Sequence, residues 1–129
     1  MYKLPRKKIK IGILGGTFDP PHKGHLYISK LALRKLKLNK LIWIVTKKNP
    51  LKQKPYLGLK ARINLSKEIT KKEKKIFVKY FDDKIKSINT FDLLNFIKKK
   101  NKKAKLFFLL GSNQRMLVKN KSPKLKKLF

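Results

Sequence analysis

The chain contains two histidines, His22 and His25, and both stand in one stretch, Gly15-Gly16-Thr17-Phe18-Asp19-Pro20-Pro21-His22-Lys23-Gly24-His25. Imidazoles three residues apart share one face of a helix that begins near Pro21, where they could donate to a common ligand or handle protons. The neighbouring residue types suit a phosphate. Glycines let the backbone approach a ligand closely and adopt positive φ, and adjacent prolines stiffen a loop. A helix opening at Gly24-His25 would aim unpaired N–H groups and the positive end of its dipole at an anion. Taken singly, a Gly-Gly turn or a histidine at a helix start is explained as well by a turn, a cap or a surface position. Their combination in one turn points to chemistry.

The flanking elements must hold that turn in place. Residues 10–14 form a short apolar run ending in glycines, which reads as a buried strand. Residues 25–38 carry Leu26, Ile28, Leu31, Ala32, Leu33 and Leu36 at helical spacing. Residues 41–46 are β-branched and aromatic, a second buried strand. Residues 47–58 hold Pro50, Pro55 and Gly58 and read as a loop. A helix over 59–72, a strand over 76–80, a loop over 82–89, a helix over 90–99 capped by Thr90, and a strand over 106–110 complete the pattern. Alternating strands and helices predict an α/β domain on a parallel sheet with right-handed crossovers, spanning residues 1–129. Ligands of such sheets bind beyond the carboxyl ends of the strands. The loops after the first, second and fourth strands should therefore line one crevice. Residues 113–129 give only a weak signal for short basic helices.

Lysine and arginine number 37 against 6 acidic residues, a formal charge of +31. Arginine is scarce, and base-edge recognition leans on its fork. The lysines are interleaved with Ile, Leu, Phe and Asn along the whole chain. That pattern reads as compositional bias on a solvated surface, so nucleic acid is expected only through non-specific charge. The absence of cysteine excludes disulfides and thiolate metal sites. No apolar run approaches the roughly 20 residues needed to cross a bilayer, and the basic start is no signal peptide. A cytoplasmic protein without membrane contact is expected.

The histidine-bearing stretch resembles the signature of the nucleotidylyltransferase superfamily, whose H-x-G-H motif stands here as His22-Lys23-Gly24-His25. The wider G-G-T-F-D-P-P-H-K-G-H is most similar to the bacterial nicotinate-nucleotide adenylyltransferases. The resemblance implies a Rossmann-like fold and attack by the phosphate of nicotinate mononucleotide on the α-phosphorus of ATP. Pyrophosphate leaves, Mg2+ arrives with ATP, and no covalent intermediate forms. It also implies that His22 and His25 hold the ATP phosphates and stabilise the transition state, with Gly24 between them. Gly15, Gly16, Thr17 and Phe18 would then form the loop around both nucleotides. Trp43 to Lys52 is similar to the family's second strand and substrate loop, which assigns Asn49 and Lys52 to binding, with a solvated loop as the alternative. Arg62 matches a family position at the next helix, where a surface salt bridge is an equal reading. Thr90 falls near the nicotinate pocket, and Gly111, Ser112 and Asn113 on the adenosine side. Among the aromatic residues, Phe18 and Trp43 are the ones expected to meet ligand rather than core.

Two departures qualify the resemblance. Asn113 stands where the family carries an acid, which keeps hydrogen-bonding shape and loses charge. Residues 115–129 contain no counterpart of the family's later Ser/Thr-rich motif with its arginine. On that reading the chain is C-terminally truncated relative to the family, with a sheet edge and apolar surface left to favour a homo-oligomer. The alternatives are a related nucleotidyltransferase with another phosphorylated acceptor, or a basic nucleotide- or RNA-binding relic without turnover.

Overall fold

The computed structural model describes residues 8–47, 56–81 and 90–109, with the side chains of Thr90 and Phe91 excepted. Their order is β1 (Lys10–Gly16), α1 (Lys23–Lys35), β2 (Lys40–Val45), α2 (Leu59–Thr70), β3 (Ile76–Lys79), α3 (Thr90–Lys100) and β4 (Lys105–Leu109). The expected order of strands and helices holds across these residues, with boundaries moved by at most a few positions, while the loop expected over 82–89, most of that over 47–58 and the short basic helices expected over 113–129 lie outside the described residues. The first helix moves most, beginning at Lys23 and ending at Lys35.

The strands form one sheet in the order β3-β2-β1-β4, and every pair is parallel. The chain steps outward from β1 through β2 to β3, then crosses back to place β4 on the other side of β1. The switch point of the sheet thus lies between β1 and β4, and the carboxyl ends of the strands there are where ligands of such sheets bind.

Strand alternation divides the core in two. Leu14, Leu41, Trp43, Val45, Phe107 and Leu109 face α1 and α2 and pack with Ala32, Leu38 and Ile76. Ile11, Ile13, Ile42, Ile44 and Leu106 face the other way, against Leu93 and Ile97 of α3. Both faces of the central strands are covered, so those strands read as continuous apolar runs rather than alternating ones. Gly12 admits the close approach of the segment after α1: a Cβ there would lie 2.6 Å from Cδ1 of Leu38. None of the described helices is long and apolar enough to cross a membrane.

Candidate active site

β1 delivers the chain to the crevice at Gly16, and the turn that follows is made by Phe18. Its φ of 52° is left-handed, and among the described residues no glycine has a positive φ. The expectation that Gly15 or Gly16 supplies that conformation is therefore corrected, since both still belong to β1. A non-glycine residue pays about 1–2 kcal/mol for this backbone. Burial of the ring offsets it. Phe18 is 2% exposed and stacks on Trp43, with centroids 4.9 Å apart and planes inclined by 14°. Phe18 and Trp43 are thus floor rather than ligand platform, because each spends its faces on core neighbours.

His25 rests on that floor, 4.7 Å from the Phe18 ring and 5.8 Å from Trp43. A relay fixes its backbone: the indole Nε1–H of Trp43 donates to Ser29 Oγ at 2.7 Å, and Ser29 Oγ donates to the His25 carbonyl at 2.8 Å. Ser29 lies one turn after His25, so helical geometry brings hydroxyl and carbonyl together.

His22 is the N-cap of α1, with extended backbone at φ −149° and ψ 179°. Its Nδ1 accepts from the Gly24 N–H at 3.0 Å, and the His22 N–H donates to Nδ1 of His25 at 3.0 Å. The pair forms a capping box built from two imidazoles. Their rings lie 4.0 Å apart. This closeness comes from the cap, not from two positions on one helical face, because His22 precedes the helix. The capping also narrows the expectation of unpaired N–H groups at the start of α1. Gly24 N–H is taken by the His22 ring, and His25 N–H donates to the His22 carbonyl.

Gly24 is required by that arrangement. A Cβ on it would meet Cε1 and Nδ1 of His22 at 2.8 and 2.9 Å, closer than real Cβ contacts come. The glycine between the histidines makes room for the capping ring. Because Nδ1 of each ring accepts a hydrogen bond, each neutral ring carries its proton on Nε2. Burial, with a smaller contribution from the charge His22 can carry, lowers the pKa of His25 to about 4, against a slight rise from its hydrogen bond to His22. At neutral pH His25 is therefore an uncharged Nε2–H donor.

The remaining expected residues fall differently. Arg62 is 2% exposed, so the surface salt bridge is ruled out. Its guanidinium donates to the carbonyls of Leu57, Thr17, Thr46 and Lys47. A buried fork spent on four main-chain oxygens ties segments together. Thr17 contributes its carbonyl to that fork. Thr90 is the first residue of α3, and its side chain lies outside the described ones. Asn49, Lys52, Gly111, Ser112 and Asn113 lie outside the described residues.

Two contributors escaped the sequence reading. Asp19 accepts the N–H groups of Leu57, at 2.7 Å, and of Tyr56. Its place inside the glycine- and proline-rich turn was the available signal, though its partners stand 37 and 38 residues away. Ser29 was legible only as a polar residue on the inner side of α1.

A parallel sheet in this order, with helices on both faces and a capped histidine pair at the strand end beside its switch point, defines an α/β domain of Rossmann-like type. The chain belongs to the cytidylyltransferase-like family, whose profile matches residues 13–127. It is 48% identical over 110 residues to the protein named "Probable nicotinate-nucleotide adenylyltransferase" of Pelagibacter ubique (strain HTCC1062), covering 85% of this chain and 61% of that protein. It is 36% identical over 106 residues to the protein of the same name from Aliarcobacter butzleri (strain RM4018), covering 81% and 58% respectively. Among solved structures, it is similar to the nicotinic acid mononucleotide adenylyltransferase of Plasmodium falciparum complexed with NaAD. The TM-score is 0.68 at 23% identity, over 81% of this chain and 53% of that one. The chain thus spans about three fifths of the length of the curated relatives it matches.

Proposed function

We propose that this chain carries the phosphate-binding half of a nicotinate-nucleotide adenylyltransferase, which joins AMP from ATP to nicotinate mononucleotide and releases pyrophosphate. The observation that carries the reading is the paired imidazoles, each with Nδ1 engaged and Nε2–H available, at the carboxyl end of β1. The acceptor phosphate attacks the α-phosphorus in line, and negative charge shifts toward the leaving pyrophosphate. Two fixed donors meet that charge without reorganising, which is the usual source of enzymatic stabilisation. A neutral His25 donates without first having to gain a proton. The names of the relatives favour nicotinate mononucleotide over other phosphorylated acceptors.

Mg2+ enters as part of the ATP complex, since this ion keeps its waters and binds substrate phosphates. Asp19, the carboxylate nearest the histidines in sequence, accepts a main-chain N–H at each of its two oxygens.

The test is pyrophosphate release from the purified chain with ATP, Mg2+ and nicotinate mononucleotide, with His25→Ala as control. Release that requires the mononucleotide and disappears in the variant supports the proposal. A folded chain that binds ATP and releases nothing under any of these mixtures overturns it.

A further inference from the structure

One buried cation and one carboxylate connect three separate segments around the crevice. Arg62 sits in the first turns of α2, after the N-cap Gly58. Its Nη1 donates to the carbonyls of Thr17 (2.8 Å) and Thr46 (2.7 Å), its Nη2 to Lys47 (2.7 Å), and its Nε to Leu57 (3.0 Å). Thr17 follows β1, Thr46 and Lys47 follow β2, and Leu57 precedes α2. Asp19 makes the return connection, from the turn after β1 to the N–H groups of Tyr56 and Leu57. α2 has no side-chain cap and no acid in its first turn, so Asp19 is also the anion beside its N-terminus.

Only a guanidinium can serve this junction. Its donors leave one plane in several directions, whereas a lysine offers three donors from one point. The arginine keeps its charge when buried, and orphaned carbonyls would be costly. The sheet ladder already pairs the strand ends, with Thr46 N–H on the Gly16 carbonyl at 2.9 Å, so the charge ties the segments leaving β1 and β2 to the start of α2, and Asp19 fixes the approach of α2 to the same place.

We propose that Arg62 and Asp19 act together as positioning residues that fix the histidine-bearing turn against the segment after β2 and the start of α2. The inference rests on the adenylyl-transfer reading for its catalytic consequence. In-line transfer needs both reactants held at near-attack distance, and a shift of about 1 Å can cost roughly 100-fold. The two imidazoles are also held from the α1 side, by their mutual capping box and the Trp43–Ser29 relay. Loss of the junction should therefore spare the binding of ATP alone and impair the reaction of the bound pair.

The experiment uses Arg62→Lys and Asp19→Asn, singly and together, with folding followed by circular dichroism. ATP binding is followed by calorimetry, turnover by pyrophosphate release, and amide exchange at Tyr56 and Leu57 by NMR. Arg62→Lys is expected to lower kcat about 100-fold while the Kd for ATP changes less than about threefold. It should also speed exchange at Tyr56, although its Asp19 partner is intact. The double variant should be little worse than the worse single one, because both act on one junction. Wild-type kcat in a folded Arg62→Lys, turnover that falls only in step with ATP binding, or additive losses would each overturn the proposal. An inactive wild-type chain would remove the functional reading instead. The exchange measurement still decides the junction, since unchanged protection at Tyr56 in Arg62→Lys would overturn it.

Discussion

His22 and His25 hold each other in place: the His22 main-chain N–H donates to Nδ1 of His25 at 3.0 Å, while the His22 ring caps the Gly24 N–H at the same distance. One nitrogen of each ring is thus structural, and the other is left for chemistry. His25→Asn separates the two uses, because the Asn carbonyl oxygen can take over the role of Nδ1 and nothing replaces the Nε2–H. We expect the variant to fold with near-native stability and to lose turnover by about 100- to 1,000-fold, the effect of removing one oriented donor to developing charge. Thermal melting and pyrophosphate release measure the two sides. A variant with full activity would remove His25 from the reaction.

The low pKa of His25 makes a prediction about acid. The folded value is about 4 against the ordinary 6.5, so the unfolded chain binds more protons between these limits. Stability from this group is complete above pH 6.5 and is lost as pH falls toward 4. The full shift would correspond to about 3 kcal/mol, and partial solvent access reduces the expectation to roughly 1–2 kcal/mol. Denaturant melts of the wild type and His25→Asn at pH 7 and pH 4.5 should differ by that amount. Trp43 is the single tryptophan and lies 5.8 Å from His25, so protonation should quench its fluorescence with a midpoint near 4 rather than 6.5. A midpoint at 6.5 would contradict the burial described here.

Gly24→Ala should uncouple stability from activity. The new Cβ would displace the His22 ring it meets at 2.8 Å, which removes the cap. Losing an N-cap costs about 1 kcal/mol, and replacing glycine by alanine in a helix returns a similar amount. The melting temperature should change by only a few degrees. Turnover should fall at least tenfold, because the displaced ring no longer presents Nε2–H to the crevice. Equal losses in the two measurements would mean that His22 serves the fold alone.

The order of elements was legible in the sequence because each strand is a compact apolar run and each helix has its own periodic face. Residues 41–46 and 106–110 could hardly be read otherwise. The site was legible where its contacts are local, as in His22, Gly24 and His25, whose geometry closes within one helical turn. Long-range contacts left no such trace. The family resemblance singled out Arg62, but nothing local told of its burial or its partners, and its carbonyl partner Thr17 stands 45 residues away. Its burial follows from how β1, β2 and α2 meet, which is decided by the whole sheet. The left-handed turn fell on Phe18 and not on the glycines before it because stacking on Trp43, from another strand, outweighs local preference.

Two buried serines on the helices of one sheet face should respond to the same substitution with opposite sign. Ser29 and Ser66 are both fully buried. Ser29 Oγ accepts from the Trp43 indole and donates to the His25 carbonyl. Ser29→Ala therefore leaves a buried N–H unpaired, at a cost of about 1–3 kcal/mol. It also frees the Trp43–His25 contact, so the fluorescence titration should broaden or shift. Ser66 Oγ has no hydrogen-bond partner among the described residues. Removing that hydroxyl relieves an unpaired polar group and adds the better helix former, so Ser66→Ala should stabilise by on the order of 1 kcal/mol. At a few degrees per kcal/mol, the melting temperatures of the two variants should straddle that of the wild type by a readily measured margin. A loss of stability in Ser66→Ala would mean that the hydroxyl is paired and that α2 packs more tightly on the sheet than described.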